Sequence, residues 1–275
     1  MPNISFEFFP PRTEEQKLIL ESTWQKLAPL RPDYLSVTFG AGGSTLDATR
    51  DTVEALAAAT DVPVAPHISC MATSEAMLRD LLQRYSEQGI RRLVVLRGVR
   101  LDGTAVPGSF QYANELVCYI RGEFGDRFLI EVACYPEFHP ESPSAKSYLH
   151  YFRKKVEAGA DGAVTQYFYN ADSYFAYLDD CQRAGIDVPI TPGIMPITNY
   201  RQLARFSAMC GAEIPQWIRR RLESYGDDGA SIRSFGLDVV TRLCERLLEG
   251  GAPGLHIYTL NRANATFLLW QRLNR

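Results

Sequence analysis

Short apolar stretches alternate along the chain with longer segments that carry apolar residues at helical spacing. Eight stretches have the length and composition of buried strands: Ile4–Phe9, Tyr34–Phe39, Val62–Cys70, Arg92–Gly98, Phe128–Tyr135, Gly162–Tyr169, Val188–Met195 and Leu255–Leu260. Between them, apolar residues recur three and four positions apart, as in Leu18, Ile19, Trp24 and Leu27. The pattern therefore predicts a regular alternation of strands and amphipathic helices.

Residues at the boundaries of these segments support the helices. Thr13 precedes Glu14 and Glu15, and Thr73 precedes Ser74 and Glu75, so both threonines are predicted N-caps with acidic first turns. Glycines that are typical of helix ends stand shortly before the next strand at Gly89, Gly159 and Gly185.

Strict alternation of strand and helix predicts a parallel sheet, and eight units in 275 residues suit a (β/α)8 TIM barrel. Extra helical patterns fall between strands seven and eight, around Asn199–Met209, Ile214–Ser224 and Ser234–Leu248. The alternative is an open doubly wound sheet, but no G-x-G-x-x-G motif follows the first strand. Without a Pro/Gly/Ser-rich linker, residues 1–275 are expected to form a single catalytic barrel domain.

Composition narrows the class of protein. The net charge of −3 gives no reason to expect nucleic acid as a partner, and no apolar run approaches the ~20 residues of a membrane-spanning helix. The cysteines are scattered without a C-x-x-C pair, which argues against a zinc knuckle or a disulfide scaffold and predicts buried, reduced thiols. Because the histidines are also far apart in sequence, we expect no metal centre. The N-terminus lacks the pattern of a signal peptide, so we expect a cytoplasmic protein.

One acid, Glu7, lies inside the first predicted strand. Alternation along a strand places Ile4, Phe6 and Phe8 on one face and Ser5, Glu7 and Phe9 on the other. A carboxylate in such a place is costly unless it is paired, hydrogen-bonded or neutral. Two interpretations remain open at this point: a general acid at the mouth of a barrel, and a structural acid bonded to backbone or to an arginine.

In a TIM barrel the active site lies at the carboxyl ends of the strands. Polar residues gather there, and Arg97 and Lys155 could neutralise phosphates. Several of these residues have a structural alternative: His67 could be a satisfied core histidine, and Arg97 could pair with an acid across the barrel. The ring of hydrogen-bonding and aromatic residues suits a large planar ligand with phosphates.

Short motifs along nearly the whole chain resemble those of methylenetetrahydrofolate reductases, flavin-dependent barrel enzymes of one-carbon metabolism. The motifs are Ser5-Phe6-Glu7-Phe8-Phe9-Pro10-Pro11-Arg12, Ser36-Val37-Thr38, Ala65-Pro66-His67, Leu96-Arg97-Gly98, Tyr135-Pro136-Glu137 with His139-Pro140-Glu141, Ala158-Gly159-Ala160 with Thr165-Gln166, Pro192-Gly193-Ile194-Met195-Pro196 and Tyr258-Thr259-Leu260-Asn261-Arg262. The chain is similar to the short bacterial form, which consists of the catalytic domain without the regulatory domain of eukaryotic relatives.

The resemblance implies a role for each matching position. Glu7 would be the general acid. Positions implied to hold FAD are Thr38, Phe39, Ala41, His67, Leu96, Arg97, Gly98, Tyr112, Ala113, Ala133, Tyr135, His139, Lys154 and Lys155, and positions implied to contact the folate are Gln166, Gln202, Phe206 and Arg262. NAD(P)H and methylenetetrahydrofolate would use the flavin in turn, with ping-pong kinetics, to supply methyltetrahydrofolate for methionine synthesis. Self-association as a homo-oligomer is a further expectation by analogy.

Three positions depart from the family pattern. Val99 stands where the family has an aspartate near the flavin, although Asp102 could substitute for it. Tyr148 replaces an acid and Tyr151 replaces an asparagine that are common near the adenosine part of FAD. These departures leave open a paralogue with weakened flavin or folate binding, one that takes electrons from a partner protein, or a non-catalytic binding subunit.

Overall fold

A computed structural model describes residues 3–39, 45–70, 74–98, 109–137, 142 and 144–274. Within these residues, nine parallel strands form one sheet that curls into a nearly closed barrel. The strands are β1 (Asn3–Phe8), β2 (Tyr34–Val37), β3 (Val64–Ser69), β4 (Arg92–Leu96), β5 (Leu129–Cys134), β6 (Gly162–Thr165), β7 (Ile190–Thr191), β8 (Gly193–Ile194) and β9 (Gly254–Tyr258). The predicted TIM barrel is confirmed, and the open doubly wound sheet is excluded.

The predicted seventh strand is divided at Pro192 into β7 and β8. Its first half pairs with β6 and its second half with β9, so this strand joins the two sides of the barrel. Gly193 lies so close to β6 that a Cβ added to it would stand 2.2 Å from Thr165 O. Its amide instead donates to Thr165 Oγ1 at 2.9 Å, which keeps β8 attached to β6 where the ladder stops. Only glycine fits this close approach.

Helices surround the sheet, and three of them follow β8 as predicted. They are α1 (Glu14–Leu27), α2 (Leu46–Ala59), α3 (Glu75–Glu87), α4 (Ala113–Phe124), α5 (Ala145–Glu157), α6 (Ala171–Arg183), α7 (Tyr200–Cys210), α8 (Gln216–Ser224), α9 (Gly229–Glu249) and α10 (Ala263–Leu273). Thr13 caps α1 as predicted, since its side chain accepts from Gln16 N. The Thr73 prediction is wrong, because Ser74 is the residue whose side chain accepts from Met77 N and caps α3.

The two faces of β1 separate two environments. Ile4, Phe6 and Phe8 are at most 3% exposed and pack in the main core between sheet and helices. Ser5 and Glu7 point into the barrel, where Tyr34, Ala65 and Val94 form a small apolar layer with Leu96 against it. The alternation predicted from the sequence is therefore confirmed.

Two further details of the predictions are wrong. All eight predicted strands run one to four residues too far at their carboxyl ends: β6, for example, ends at Thr165 and not at Tyr169. The chain there leaves the ladder before the apolar residues stop.

Cys118 is exposed and Cys210 half-buried, whereas the other free cysteines are buried as expected. In the part of the chain that is described, the helices are too short or too polar to cross a membrane.

Candidate functional site

Glu7 is the penultimate residue of a barrel strand whose ladder to β2 runs as far as Phe8 and Val37. Its side chain is 18% exposed, so it faces the barrel interior without being sealed from the mouth. Glu7 Oε2 lies 3.4 Å from His67 Nε2 and 3.5 Å from His256 Nε2. His67 comes from β3, and side chains of alternate strands meet in layers inside such barrels. This explains why two residues far apart in sequence come together.

His67 is neutral at physiological pH. Loss of water around its buried ring lowers its pKa to about 4; Glu7 opposes that shift and His256 adds to it. The contact with Glu7 is therefore not an ion pair between fixed charges. At 3.4 Å it is also longer than a typical hydrogen bond, and the buried His67 Nε2 has no hydrogen-bond partner among the residues that the structure describes. Both groups keep bonding capacity for a ligand.

His256 is the more firmly held of the two imidazoles. It is 1% exposed, its Nδ1 lies 2.7 Å from Ser5 Oγ, and the hydroxyl of Tyr34 is 3.4 Å from the same nitrogen. The ring of Tyr258 meets it edge-on, with centroids 5.5 Å apart. These contacts fix the plane of the imidazole that faces Glu7.

The loop after β9 holds the backbone around Glu7. Thr259 Oγ1 donates to Glu7 O at 2.6 Å, and the side-chain amide of Asn261 both donates to Phe9 O at 2.9 Å and accepts from Phe9 N at 3.1 Å. Leu260 and Asn261 have φ of 51° and 52°, a left-handed conformation that asparagine tolerates better than most residues. Next in the chain, Arg262 is the exposed residue that precedes α10.

Thr38 follows β2 and lies beside the Glu7 strand. Its amide donates to Phe8 O at 2.9 Å, whereas its buried Oγ1 has no hydrogen-bond partner in the described part of the protein. An unsatisfied buried hydroxyl is costly. Together with His67 Nε2, it leaves hydrogen-bonding capacity at the carboxyl ends of β2 and β3. Phe39, the next residue, is half-buried at the same end.

Positive charge collects at the carboxyl ends of β4 and β5. Lys155 reaches inward from α5, and its Nζ donates to Ala133 O at 2.7 Å. Desolvation lowers its pKa to about 8, and the charge of Arg97 adds to that effect. Arg97 follows β4 directly, where its carbonyl accepts from Ser69 Oγ at 3.2 Å. Gly98 then turns the chain with a φ of 86°, which glycine adopts without strain.

The remaining predicted FAD positions flank this region. Leu96 is the half-buried last residue of β4, Tyr112 is the exposed residue before α4, and Ala113 is its buried first residue. Lys154 is exposed on α5. Ala41 and His139 lie outside the described residues, as do Val99 and Asp102.

Tyr148, one of the departures, is turned into the protein. It is 6% exposed. Its hydroxyl accepts a hydrogen bond from Tyr135 N and lies 3.2 Å from Tyr177 Oη. The backbone at the end of β5 is thus held by a phenol. The altered grip on the dinucleotide that we expect from this substitution stays a prediction.

The predicted folate positions fall into two groups. Gln166 follows β6, and the next residue, Tyr167, places its hydroxyl 3.0 Å from Ser207 Oγ on α7. The same helix carries Gln202 and Phe206, both half-buried and one turn apart. Arg262 stands apart from this group, at the edge of a cavity of about 730 Å³ between α1, α9 and α10. That cavity is on the outer wall of the barrel, and its lining does not include Glu7.

Sequence reasoning found Glu137 in a motif at the end of the fifth strand but gave it no role. Its Oε2 accepts from Glu213 N at 2.8 Å, which joins the segment after β5 to the loop between α7 and α8. Its Oε1 is buried and has no hydrogen-bond partner in the described part of the chain. Desolvation raises its pKa to about 7, while the bond from Glu213 N opposes the shift. His256 was also missed, although its position two residues before Tyr258 predicts that both face inward.

Comparisons of the sequence with a family model and with curated proteins point to the same family. The family model described as methylenetetrahydrofolate reductase matches residues 1–274. The 5,10-methylenetetrahydrofolate reductases of Pectobacterium carotovorum subsp. carotovorum and Escherichia coli (strain K12) are each 37% identical over 98% of this chain and 90% of their own length. Methylenetetrahydrofolate reductase (NADH) 1 of Arabidopsis thaliana is 37% identical over 94% of this chain, which is 46% of that relative.

Solved structures show the same fold at lower identity. A protein from Clostridium thermocellum that binds two copies of 5-methyl-5,6,7,8-tetrahydrofolic acid has a TM-score of 0.70 at 18% identity, covering 100% of this chain and 96% of its own. A 2,3-dimethylmalate lyase has a TM-score of 0.52 at 12% identity, covering 98% of this chain and 87% of its own.

Proposed function

The chain belongs to the methylenetetrahydrofolate reductase family, an oxidoreductase family, and from that premise we propose that it reduces 5,10-methylenetetrahydrofolate to 5-methyltetrahydrofolate with electrons from NAD(P)H. FAD would serve as the cofactor, and the two substrates would use it in turn. The curated relatives that share 37% identity and the solved neighbour that binds methyltetrahydrofolate support a folate substrate.

The observation that carries the proposal is the environment of Glu7. A carboxyl group stands at the carboxyl end of β1 with an imidazole of lowered pKa 3.4 Å away and a second imidazole at 3.5 Å. Neither contact is with an arginine or a lysine, so the carboxyl group of Glu7 is not held in a close ion pair with either. A general acid needs this freedom.

The residues present fit FAD. Thr38 Oγ1 and His67 Nε2, two buried polar atoms that have no partner within the described residues, offer hydrogen bonds at the barrel mouth. Arg97 and Lys155 add positive charge for phosphates, and the left-handed turn at Gly98 lets backbone approach a ligand closely. When bound, FAD would supply the hydride chemistry, which no amino-acid side chain provides.

The protein's own residues would then orient and protonate the folate. Glu7 Oε2 delivers a proton as the methylene bridge opens, and the hydroxyl, imidazole and backbone contacts around it keep the carboxyl group in place. Gln166, Gln202 and Phe206 would contact the folate ring system, and Arg262 is proposed as a further folate contact by resemblance alone, since it lies apart from them.

The test is whether the two half-reactions occur. Purified protein is reconstituted with FAD, and its absorbance is followed without oxygen. NADH should bleach the flavin bands, and methylenetetrahydrofolate should restore them with stoichiometric formation of methyltetrahydrofolate, measured by chromatography. Protein that remains colourless after incubation with FAD would refute the proposal. Bleaching without re-oxidation by the folate would support a paralogue with another electron acceptor.

A further inference from the structure

One side of α8 combines an exposed tryptophan with two arginines. Trp217, Arg220 and Arg221 are three and four positions apart, so their side chains share this side of the helix. Ile218 and Leu222, which are fully buried, hold another side of α8 against the protein. We refer to Trp217, Arg220 and Arg221 as the α8 face.

The exposure of Trp217 is unusual within this molecule. Trp217 is 60% exposed, whereas Trp24 and Trp270, the other two tryptophans of the chain, are 8% and 9% exposed. An exposed indole forgoes much of the stabilisation that its large apolar area would give if it were buried. The ring meets Phe235 of α9 edge-on, with centroids 6.0 Å apart. The indole is therefore supported from one side and open to water on the other.

The arginines of the α8 face keep their charge for a group outside the helix. In the described part of the chain, neither Arg220 nor Arg221 forms an ion pair with a carboxylate, whereas Arg201 of α7 pairs with Asp227 at 2.9 Å. Glu223, the acid of α8, accepts a hydrogen bond at 2.8 Å from the tyrosine that begins α7. Carboxylates from another molecule would meet these two guanidinium groups without displacing an acid of this chain.

Arg221 is oriented by an aromatic neighbour. Its Nε donates to Tyr225 Oη at 2.9 Å, and its Cζ lies 5.3 Å from the centre of the same ring. The Tyr225 ring in turn meets Phe235 edge-on, with centroids 6.0 Å apart. This bond uses Nε, and the two Nη groups of the guanidinium point away as further donors for a carboxylate.

The helix dipole explains only part of this arrangement. It favours cations near a helix C-terminus, and Arg221 lies in the last turn of α8. It gives no reason for an exposed indole beside them. Residues 200–225 also hold five arginines and two glutamates, although the whole chain has a net charge of −3. Positive charge is thus concentrated where the aromatic surface is.

Tryptophan, tyrosine and arginine are the residues that most often dominate the energy of protein–protein interfaces. We propose that the α8 face binds an acidic segment of another protein, with carboxylates at Arg220 and Arg221 and an apolar side chain against Trp217. The charges would set the orientation of the segment, and the indole would supply apolar contact area. The inference goes beyond the proposed function, because the α8 face includes none of the residues proposed to hold FAD or the folate.

Fluorescence titration tests the face with a synthetic peptide in which three glutamates and one leucine are repeated three times. Since Trp24 and Trp270 are buried, a blue shift of the emission and weaker quenching by acrylamide report the burial of Trp217. The acidic peptide should produce both changes. A peptide with lysine in place of every glutamate should produce neither, and raising the salt concentration should weaken binding of the acidic peptide.

Variants measured by calorimetry separate the indole from the charges. Trp217→Ala should weaken binding of the acidic peptide about 5- to 30-fold, as expected for a hot-spot residue. Arg220→Met should weaken it about 2- to 5-fold, because this arginine is exposed to solvent. Arg183→Met removes an arginine that is also exposed, on α6, and should leave the affinity unchanged. If Trp217→Ala does not fold, Trp217→Lys removes the indole and keeps the positive charge.

Equal affinity of wild type and both Trp217 variants for the acidic peptide overturns the proposal, as does equal binding of the glutamate and lysine peptides. Sedimentation velocity examines a second copy as the occupant: self-association that Trp217→Ala abolishes assigns the face to an interface between copies and overturns the acidic segment. Vesicles containing phosphatidylserine that bind more tightly than the peptide, through Trp217, overturn it in favour of a membrane. Weaker peptide binding in Trp217→Ala and Arg220→Met, with Arg183→Met unchanged, supports the proposal.

Discussion

Glu131 and Glu7 both point into the barrel, and their partners differ. Glu131 lies in the amino-terminal half of β5, where Arg92 Nη1 stands 3.1 Å from its Oε2 and the two side chains are 7% and 27% exposed. The same arginine covers the ring of Tyr34, with Cζ 4.3 Å from the ring centre. Glu7, near the carboxyl end of β1, meets only imidazoles, at 3.4 and 3.5 Å among the described residues.

The difference shows how a partner decides what a buried acid can do. An arginine does not release its proton, so Glu131 faces a permanent cation across the 3.1 Å contact. His67, whose pKa is lowered to about 4, puts no permanent charge beside Glu7. The first acid is suited to holding strands together and the second to transferring a proton.

The largest expected effect follows from removing the acid at Glu7. Glu7→Gln keeps the shape of the side chain but has no proton to donate, so folate reduction should fall about 10²- to 10⁴-fold. Bleaching of the flavin by NADH should continue at nearly the wild-type rate, as measured by stopped-flow absorbance without oxygen. Equal loss of both half-reactions would contradict the general-acid role.

Breaking the ion pair between Arg92 and Glu131 should lower stability and leave activity unchanged. Arg92→Met leaves a buried carboxylate without its cation; this costs about 3–5 kcal/mol for a fully buried pair, and less here because Arg92 is 27% exposed. Chemical denaturation should show the loss, whereas turnover per folded molecule should stay unchanged. Arg92→Met with Glu131→Gln should recover part of the stability. If the single variant is as stable as wild type, the pair is not structural.

Asn261 tests how far the role of Glu7 depends on its backbone. Asn261→Ala deletes the bonds to Phe9 N and Phe9 O and places alanine at a φ of 52°. At about 0.5–1.5 kcal/mol for each bond, we expect a loss of roughly 1–3 kcal/mol of unfolding free energy. The folate half-reaction should also slow more than flavin reduction, since Glu7 loses its fixed position. A variant in which both half-reactions slow equally would show that the loop acts on stability alone.

Glu137 extends the comparison to an acid with neither arginine nor imidazole as an observed partner. Its pKa is raised from 4.5 to about 7, so the folded protein keeps a proton that the unfolded chain releases above 4.5. The protonated Glu137 carboxyl group therefore stabilises the folded protein fully below pH 4.5, and this stabilisation is lost as pH rises through 7. Glu137→Gln should raise Tm above wild type at pH 8 by about 1–3 °C, after allowance for solvent screening.

At pH 4.5, Glu137→Gln and wild type should melt at the same temperature, because the glutamine keeps the carbonyl that accepts from Glu213 N. Scanning calorimetry across this pH range measures the difference. A constant gap at all pH values would show that titration of Glu137 is not its cause.

Local patterns in the sequence were enough to predict the architecture. The period-two alternation of β1 placed Glu7 inside the barrel, and Thr13 marked the start of α1, because both depend on neighbours within a few residues. Strand ends were less accurate, since apolar residues continue past Thr165 after the ladder has stopped. The division of the seventh strand at Pro192 was not predicted either.

The partners of each acid could not be predicted from local patterns. His256 meets Ser5 across 251 positions, and only closure of the barrel brings them together. Glu137 is desolvated because the loop after α7 covers it, which depends on tertiary packing. Whether a carboxyl group becomes an ion pair, a proton donor or a neutral acid is decided at that level.

The bonds from Thr259 and Asn261 to Glu7 and Phe9 also determine how early in synthesis the backbone around Glu7 can be fixed. They join residues 252 positions apart, so Glu7 is synthesised long before the loop that fixes its backbone. Contacts of such separation form late, after local helices and neighbouring strands. A nascent chain would therefore carry Glu7 unanchored until β9 and the loop after it are made.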